Sequence, residues 1–202
     1  MYPTRIPRLV SGLLTGFLWH KAREGKDLFL TFDDGPIAEL TPWVLDTLKV
    51  FDAKATFFCI GRNAEAEPEI MARIRAEGHT VGDHTWDHPR GGVTSTRSYL
   101  RNVLRSQART GGTYFRPPYG SITLTQYLAL RKRFKLVMWD VLSGDFDTRI
   151  DGPKCLERVL LAAKPGSIIV FHDSLKAEER LRYALPRTLE YFKGEGYRFR
   201  AL

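Results

Sequence analysis

The chain is short of what would make it a cross-linked, membrane-spanning or modular protein. Its two cysteines, Cys59 and Cys155, lie far apart and cannot form a disulfide framework. Cys59 sits inside the apolar run TFFCIG and reads as a buried, inert thiol. Arg5 and Arg8 followed by LVSGLLTGFLW, Leu9 to Trp19, imitate a signal peptide, but Ser, Thr and Gly interrupt the run. It then passes into His20-Lys21 without a small-residue cleavage site. It also falls short of the roughly 20 apolar residues that a helix needs to cross a bilayer, and no other stretch is long enough. The expectation is a segment that packs on the fold, with the cytoplasm slightly favoured over export. No repeat, linker or low-complexity tract is present. The 202 residues, 43% of them hydrophobic, suit one well-buried core and are too few for two comfortable domains. One domain over 1–202 is expected, with 1–27 as the N-terminal packing segment.

Charge is unbalanced, at +8 with a pI near 9.6, which favours contact with anionic surfaces. The basic residues are nevertheless scattered, as in Arg97, Arg101, Arg105, Arg109 and Arg131-Lys132-Arg133. With no long basic block and no RNA-binding signature, they read as solvated helix faces, and a nucleic-acid partner is not expected.

Seven short β-like runs recur: Leu28–Phe32, Ala55–Ile60, Thr80–Asp83, Thr113–Arg116, Phe134–Trp139, Ser167–Phe171 and Tyr197–Ala201. Between them, Thr41–Phe51, Glu65–Glu77, Thr96–Thr110, Thr123–Arg133, Pro153–Ala163 and Glu178–Lys193 carry apolar residues at helical spacing. Gly78, Gly111 and Gly166 stand where helices should stop. Alternating strands and helices specify parallel β/α units. The polar residues choose the arrangement: Asp33 and Asp34 follow the first strand, His84 and His88 the third, and Asp145 the fifth. Arg116 ends the fourth and His172 the sixth. Groups at the C-terminal ends of five strands meet only around a common mouth, so the fold class expected is α/β, a distorted (β/α) barrel of about seven parallel strands.

The chemistry-bearing motifs sit at that mouth. TFDDGP, Thr31 to Pro36, ends a strand in two carboxylates and breaks it with Gly-Pro, letting neighbouring side chains converge. Alone it reads as a polar turn. HTWDH places His84 and His88 four residues apart, so both can reach one ion from a helical turn or a tight loop. Thr85 stands where a zinc protease of the HExxH type has its base, so any base must come from elsewhere. With the Asp pair, a two-His, one-Asp site follows, leaving open positions for water and substrate. One Asp can bind the ion while the other takes a proton from water that the ion acidifies. RPPYG, Arg116 to Gly120, offers a guanidinium fork for a carboxylate, a stiff diproline and an aromatic wall in Tyr119. SIIVFHDS, Ser167 to Ser174, is an interior strand ending in His172-Asp173. His172 suits protonation of a leaving amine, with a carboxylate such as Asp145 holding it as imidazolium. His20 and His79 lack partner patterns and read as structural.

Together these motifs resemble the polysaccharide deacetylase family, carbohydrate esterase family four, from about Phe29 to the C-terminus. The resemblance implies Asp33 as catalytic base, with Asp34, His84 and His88 as metal ligands. It implies that Arg116 orients Asp33 and that the Tyr119 backbone N–H donates to the oxyanion, with Pro117 and Trp139 beside them on the substrate side. VMWDVLSGDF and IIVFHD resemble the fourth and fifth motifs, which implies Asp145 as partner of the acid His172. The chain departs from the family pattern at Phe146, usually Trp, and at Leu142, often an acid. The resemblance implies a bacterial metal-dependent hydrolase that removes acetyl groups from an N-acetylated sugar or polysaccharide. One divalent ion is expected, zinc first, with cobalt, nickel and iron fitting the same donors. Alternatives are an O-acetyl esterase, an inactive carbohydrate-binding protein on the same barrel, or a phosphatase of the Asp-x-Asp type. The last conflicts with adjacent acids and leaves HTWDH unexplained.

Overall fold

The computed structural model describes residues 4, 15–22 and 24–202. Eight strands are described: β1 (Asp27–Asp33), β2 (Ala55–Cys59), β3 (Thr80–Asp83), β4 (Tyr114–Phe115), β5 (Lys135–Leu136), β6 (Val141–Leu142), β7 (Ile168–His172) and β8 (Arg198–Phe199). Seven follow one another across a curled sheet in the order β5-β4-β3-β2-β1-β7-β6, and every named strand pair is parallel. β8 adds a short rung to β1, where Asp27 and Leu28 face Arg198 and Phe199. The helices are α1 (Thr41–Val50), α2 (Gly61–Ala66), α3 (Pro68–Ala76), α4 (Thr96–Thr110), α5 (Leu124–Leu130), α6 (Gly152–Ala162) and α7 (Glu178–Gly194). This is the distorted β/α barrel that the strand–helix alternation predicts.

Most element ends shift by one to three residues, an eighth strand is present, and two expected elements are interrupted. The run Phe134–Trp139 is not one strand. Its first half pairs with β4, and at Val137 to Asp140 the chain leaves that edge and arrives at β7 as β6. The buried Asp140 carboxylate accepts from Ile168 N and Ser167 Oγ at 3.1 Å each, tying the switch to the foot of β7. The barrel is therefore closed by the chain crossing its own gap rather than by a ladder. The predicted helix Glu65–Glu77 is likewise two, broken at Glu67 (φ −121°), because Pro68 disfavours helical backbone in the residue before it.

Residues 17–20 pack across the gap. Leu18 forms a parallel bridge to Val137, and His20 an antiparallel bridge to Ser167. Phe17 packs its ring 4.8 Å from that of Tyr127. Residues 1–3, 5–14 and 23 of the expected packing segment lie outside the described residues.

Alternation along β1 separates two interiors. Leu28, Leu30 and Phe32 join the large cluster under the helices, whereas Phe29 joins Phe58, Val137 and Ile168 inside the curl. Phe32 stacks between Phe57 of β2 and Phe171 of β7 at 5.1 and 6.2 Å, one aromatic layer across three strands in register. Each such pair contributes about 1 kcal/mol beyond its area burial. One residue further along, Asp33 pairs in register with Phe58 and His172, so the layer above the core is where chemistry begins. Local signals fix the helices around it: Ser95 and Asp151 cap α4 and α6, Thr123 and Gln126 form a capping box on α5, and Gly111 ends α4 at φ 63°.

Candidate active site

At the C-terminal end of β1, Asp33 is buried and its Oδ1 accepts from Arg116 Nη1 at 2.6 Å. Arg116, fully buried, also donates to Thr31 Oγ1 at 2.8 Å and to the Met138 carbonyl at 2.9 Å, and its guanidinium lies 4.1 Å over the Phe58 ring. A buried cation that loses its carboxylate costs about 3–5 kcal/mol, so the pair fixes Asp33 as well as the fold.

Asp34 follows in a left-handed conformation, φ 86°, which turns its side chain away from Asp33 toward the histidines. Its Oδ1 lies 3.4 Å from His88 Nε2 and 3.9 Å from His84 Nε2. The three ligand atoms fall within 4.8 Å of one another, and the two distances to Asp34 Oδ1 approach the roughly 3.4 Å edges of a tetrahedral zinc site with bonds near 2.1 Å. HTWDH is a tight loop, not a helical turn. Thr85 and His88 have φ of 68° and 64°, and the loop is pinned by Thr85 N on Asp83 Oδ1, Trp86 N on Asn102 Oδ1 and His88 N on Thr85 Oγ1. His84 Nδ1 bonds the Arg116 carbonyl at 2.7 Å, which makes it the protonated nitrogen and leaves a lone pair on Nε2. Burial and the neighbouring His88 pull the His84 pKa down to about 3, and burial also lowers that of His88. Both imidazoles are thus neutral donors. Asp34 Oδ1 is buried without a hydrogen-bond partner. An orphaned carboxylate oxygen facing two neutral imidazole nitrogens is an environment that a divalent cation satisfies.

Across the mouth, His172 Nδ1 bonds Asp145 Oδ1 at 2.8 Å, and His172 N donates to Asp145 Oδ2 at 2.6 Å. Asp145 is fully buried, and its carbonyl accepts from Arg180 Nε at 2.6 Å. Burial alone would lower the His172 pKa, but the charge and hydrogen bond of Asp145, with Asp34 and Asp33 nearby, push it up to about 9. The departure at Phe146 leaves this pair intact, and the Phe146 ring stands edge-on to His172 at 5.2 Å. Leu142 lies in β6 and is buried.

Tyr119, at φ 60°, projects an exposed ring that meets His88 at 4.6 Å. Pro117 is buried, and its carbonyl accepts from Gly120 N at 3.0 Å, closing the turn that presents Tyr119. Trp139 packs against Gly120 and faces Arg116 at 5.8 Å. All ten residues singled out in the sequence therefore gather at one end of the sheet or in the turns that frame it. Away from the mouth, Cys59 is a buried free thiol as expected and so is Cys155, His79 is buried and accepts from Ala55 N, and exposed His20 bonds the carbonyl of Lys21.

Two residues of the frame were not singled out. Asp173 is buried under the turn after β1, and Asn63 reaches that turn from α2. An HD pair closing a buried strand was the available signal for the first; nothing local marked the second.

A curled parallel β/α barrel with a carboxylate–histidine cluster at its C-terminal mouth defines the class. Within it, residues 20–137 match the family described as polysaccharide deacetylase. The chain is 37% identical over 185 residues to the peptidoglycan-N-acetylglucosamine deacetylase PgdA of Listeria monocytogenes, which covers 89% of this chain and 38% of that protein. It is 36% identical over 165 residues to a chitooligosaccharide deacetylase of Azorhizobium caulinodans, covering 75% of this chain and 76% of the relative. The crystal structure of the peptidoglycan N-acetylglucosamine deacetylase Bc1960 superposes with a TM-score of 0.88 at 31% identity, covering 95% of this chain and 94% of the other. The chain belongs to the polysaccharide deacetylase family, and it spans little more than a third of the length of its Listeria relative.

Proposed function

We propose that the chain is a metal-dependent deacetylase that hydrolyses the acetamide of an N-acetylated sugar, within a glycan such as peptidoglycan or a chitooligosaccharide. The observation that carries this reading is the convergence of Asp34, His84 and His88 beside a carboxylate held by Arg116. The names borne by its relatives agree with it.

Asp34, His84 and His88 would hold the ion, and two imidazoles with one carboxylate suit zinc, cobalt, nickel or iron. Bound there, a divalent cation supplies Lewis acidity to the acetyl carbonyl and to the attacking water. Asp33, aimed by Arg116, takes the proton of that water. The Tyr119 N–H, presented by the RPPYG turn, donates to the oxygen on which negative charge develops. His172, held as imidazolium by Asp145, then protonates the departing amine, so that acetate leaves and a free amino sugar remains. Trp139 beside Gly120 and Arg116, and Phe146 edge-on to His172, would border the reacting acetamide.

The test is acetate release from N-acetylated oligosaccharides, peptidoglycan and O-acetylated xylan by protein that is metal-loaded, stripped by chelator or reloaded. Acetate from an N-acetylated glycan, lost on stripping and restored by metal, is expected. Release only from the O-acetyl ester would make the protein an esterase. Glycan binding without release from any substrate would make it an inactive binder.

A further inference from the structure

The peptide unit joining Asp34 to Gly35 is gripped at both ends by side chains from elsewhere in the fold. Its carbonyl oxygen accepts from Asn63 Nδ2 at 2.8 Å, and its N–H donates to Asp173 Oδ1 at 3.0 Å. Asp173 is itself fixed on two further sides. Its Oδ2 accepts from Thr41 Oγ1 at 2.6 Å, and its backbone N–H donates to the Asp33 carbonyl at 3.1 Å. Thr41 Oγ1 in turn accepts from Ile37 N at 2.8 Å, and Ile60 N donates to the Gly35 carbonyl at 2.9 Å. The carboxylate fills the space where a side chain at residue 35 would begin, since a Cβ on Gly35 would lie 1.9 Å from Asp173 Oδ2.

Asp34 needs such a grip. A non-glycine residue at φ 86° is strained and persists only where its surroundings over-determine it. Rotation of the peptide plane on its C-terminal side would relieve that strain and swing the Asp34 carboxylate off the histidines. Both ends of that plane are the groups held. The bonds are local to the turn and reach neither His84 nor His88.

We infer that Asp173 and Asn63 are positioning residues of the metal site, acting through the Asp34–Gly35 peptide to keep Asp34 Oδ1 aimed at His84 and His88. This rests on the reading that those three residues bind a divalent cation. Asn63 belongs to α2 and Asp173 directly follows β7, so the ligand set just after β1 and β3 depends on two parts of the fold that donate no ligand. Loss of such outer partners lowers metal affinity by roughly ten- to a hundredfold.

The experiment measures the zinc dissociation constant by competition with a chromophoric chelator, and the visible spectrum of the cobalt-loaded protein, for wild type, Asp173→Ala, Asp173→Asn and Asn63→Leu. Circular dichroism and melting of the metal-free proteins check folding. Asp173→Ala and Asn63→Leu are expected to weaken zinc at least tenfold and alter the cobalt bands. Asp173→Asn, whose amide oxygen still accepts from Gly35 N, should stay within about threefold of wild type. A part that only stabilises the turn would lower melting temperature in all variants and leave the dissociation constant and cobalt bands unchanged, which would overturn the inference. If Asp173→Ala does not fold, half-buried Asn63→Leu decides alone by the same criterion. A wild type that binds zinc no better than His84→Ala overturns the underlying site, an outcome distinct from variants that match a tight-binding wild type.

Discussion

On the β3 side of the mouth, His84 turns Nδ1 to a backbone carbonyl, and its pKa falls to about 3. On the β7 side, His172 turns Nδ1 to the Asp145 carboxylate, and its pKa rises to about 9. Both rings stand at strand ends above the same core. The difference lies in the partner. A neutral carbonyl fixes the tautomer without compensating a charge, so burial wins and the imidazole keeps a lone pair for a metal. A buried carboxylate, with Asp34 and Asp33 adding to it, outweighs burial, and the imidazole keeps a proton to give away. The pocket thus holds an electron-pair donor and a proton donor built from one residue type.

Breaking either half should have a different signature. The largest effect is expected from His84→Ala or His88→Ala, which leaves too few donors to hold the ion. Near-stoichiometric metal by elemental analysis in either variant would contradict the assignment. Asp33→Asn should retain metal and lose kcat by about 10²- to 10⁴-fold, the usual worth of a general base, whereas Asp34→Asn should lose metal. Equal metal loss in both would show that the two acids share one role.

Asp145→Asn sharpens the comparison on the other side. With His172 raised to about 9, kcat/KM should hold through neutral pH and fall as the imidazolium deprotonates. Removing the carboxylate that favours imidazolium must move that basic limb to lower pH. A limb left in place would separate His172 from proton delivery. The smallest effect is expected at His79, whose pKa is lowered to about 4, chiefly by burial, but which faces no acid of the site. His79→Gln should cost about 1 kcal/mol of stability, the worth of one hydrogen bond, and leave the metal dissociation constant unchanged.

Much of this was legible in the sequence because the apolar runs and the polar residues that end them obey simple periodicities. Leu28, Leu30 and Phe32 alternate with Phe29, Thr31 and Asp33 as a two-sided buried strand requires, and the acids and histidines fall just past the strand ends. What was not legible depends on contacts between distant residues. The six-residue run Phe134–Trp139 carries no mark that pairing with β4 ends within it, because the chain joins β7 only from Asp140 onward, through bonds to residues far along the chain. The break at Glu67–Pro68 was marked, since the residue before proline avoids helix. Backbone strain was invisible. Of the five non-glycine residues with positive φ among those described, Asp34, Thr85, His88 and Tyr119 are all at the site. Each is held by bonds or packing from elements far along the chain, and no local propensity announces that.

The most direct test of the division between the two histidine environments is a nitrogen-15 NMR titration of the imidazoles in the metal-free protein. At pH 7.5, His172 should carry protons on both ring nitrogens, while His84 and His88 are neutral and His84 holds its proton on Nδ1. A neutral His172 at that pH, or a charged His84, would contradict it.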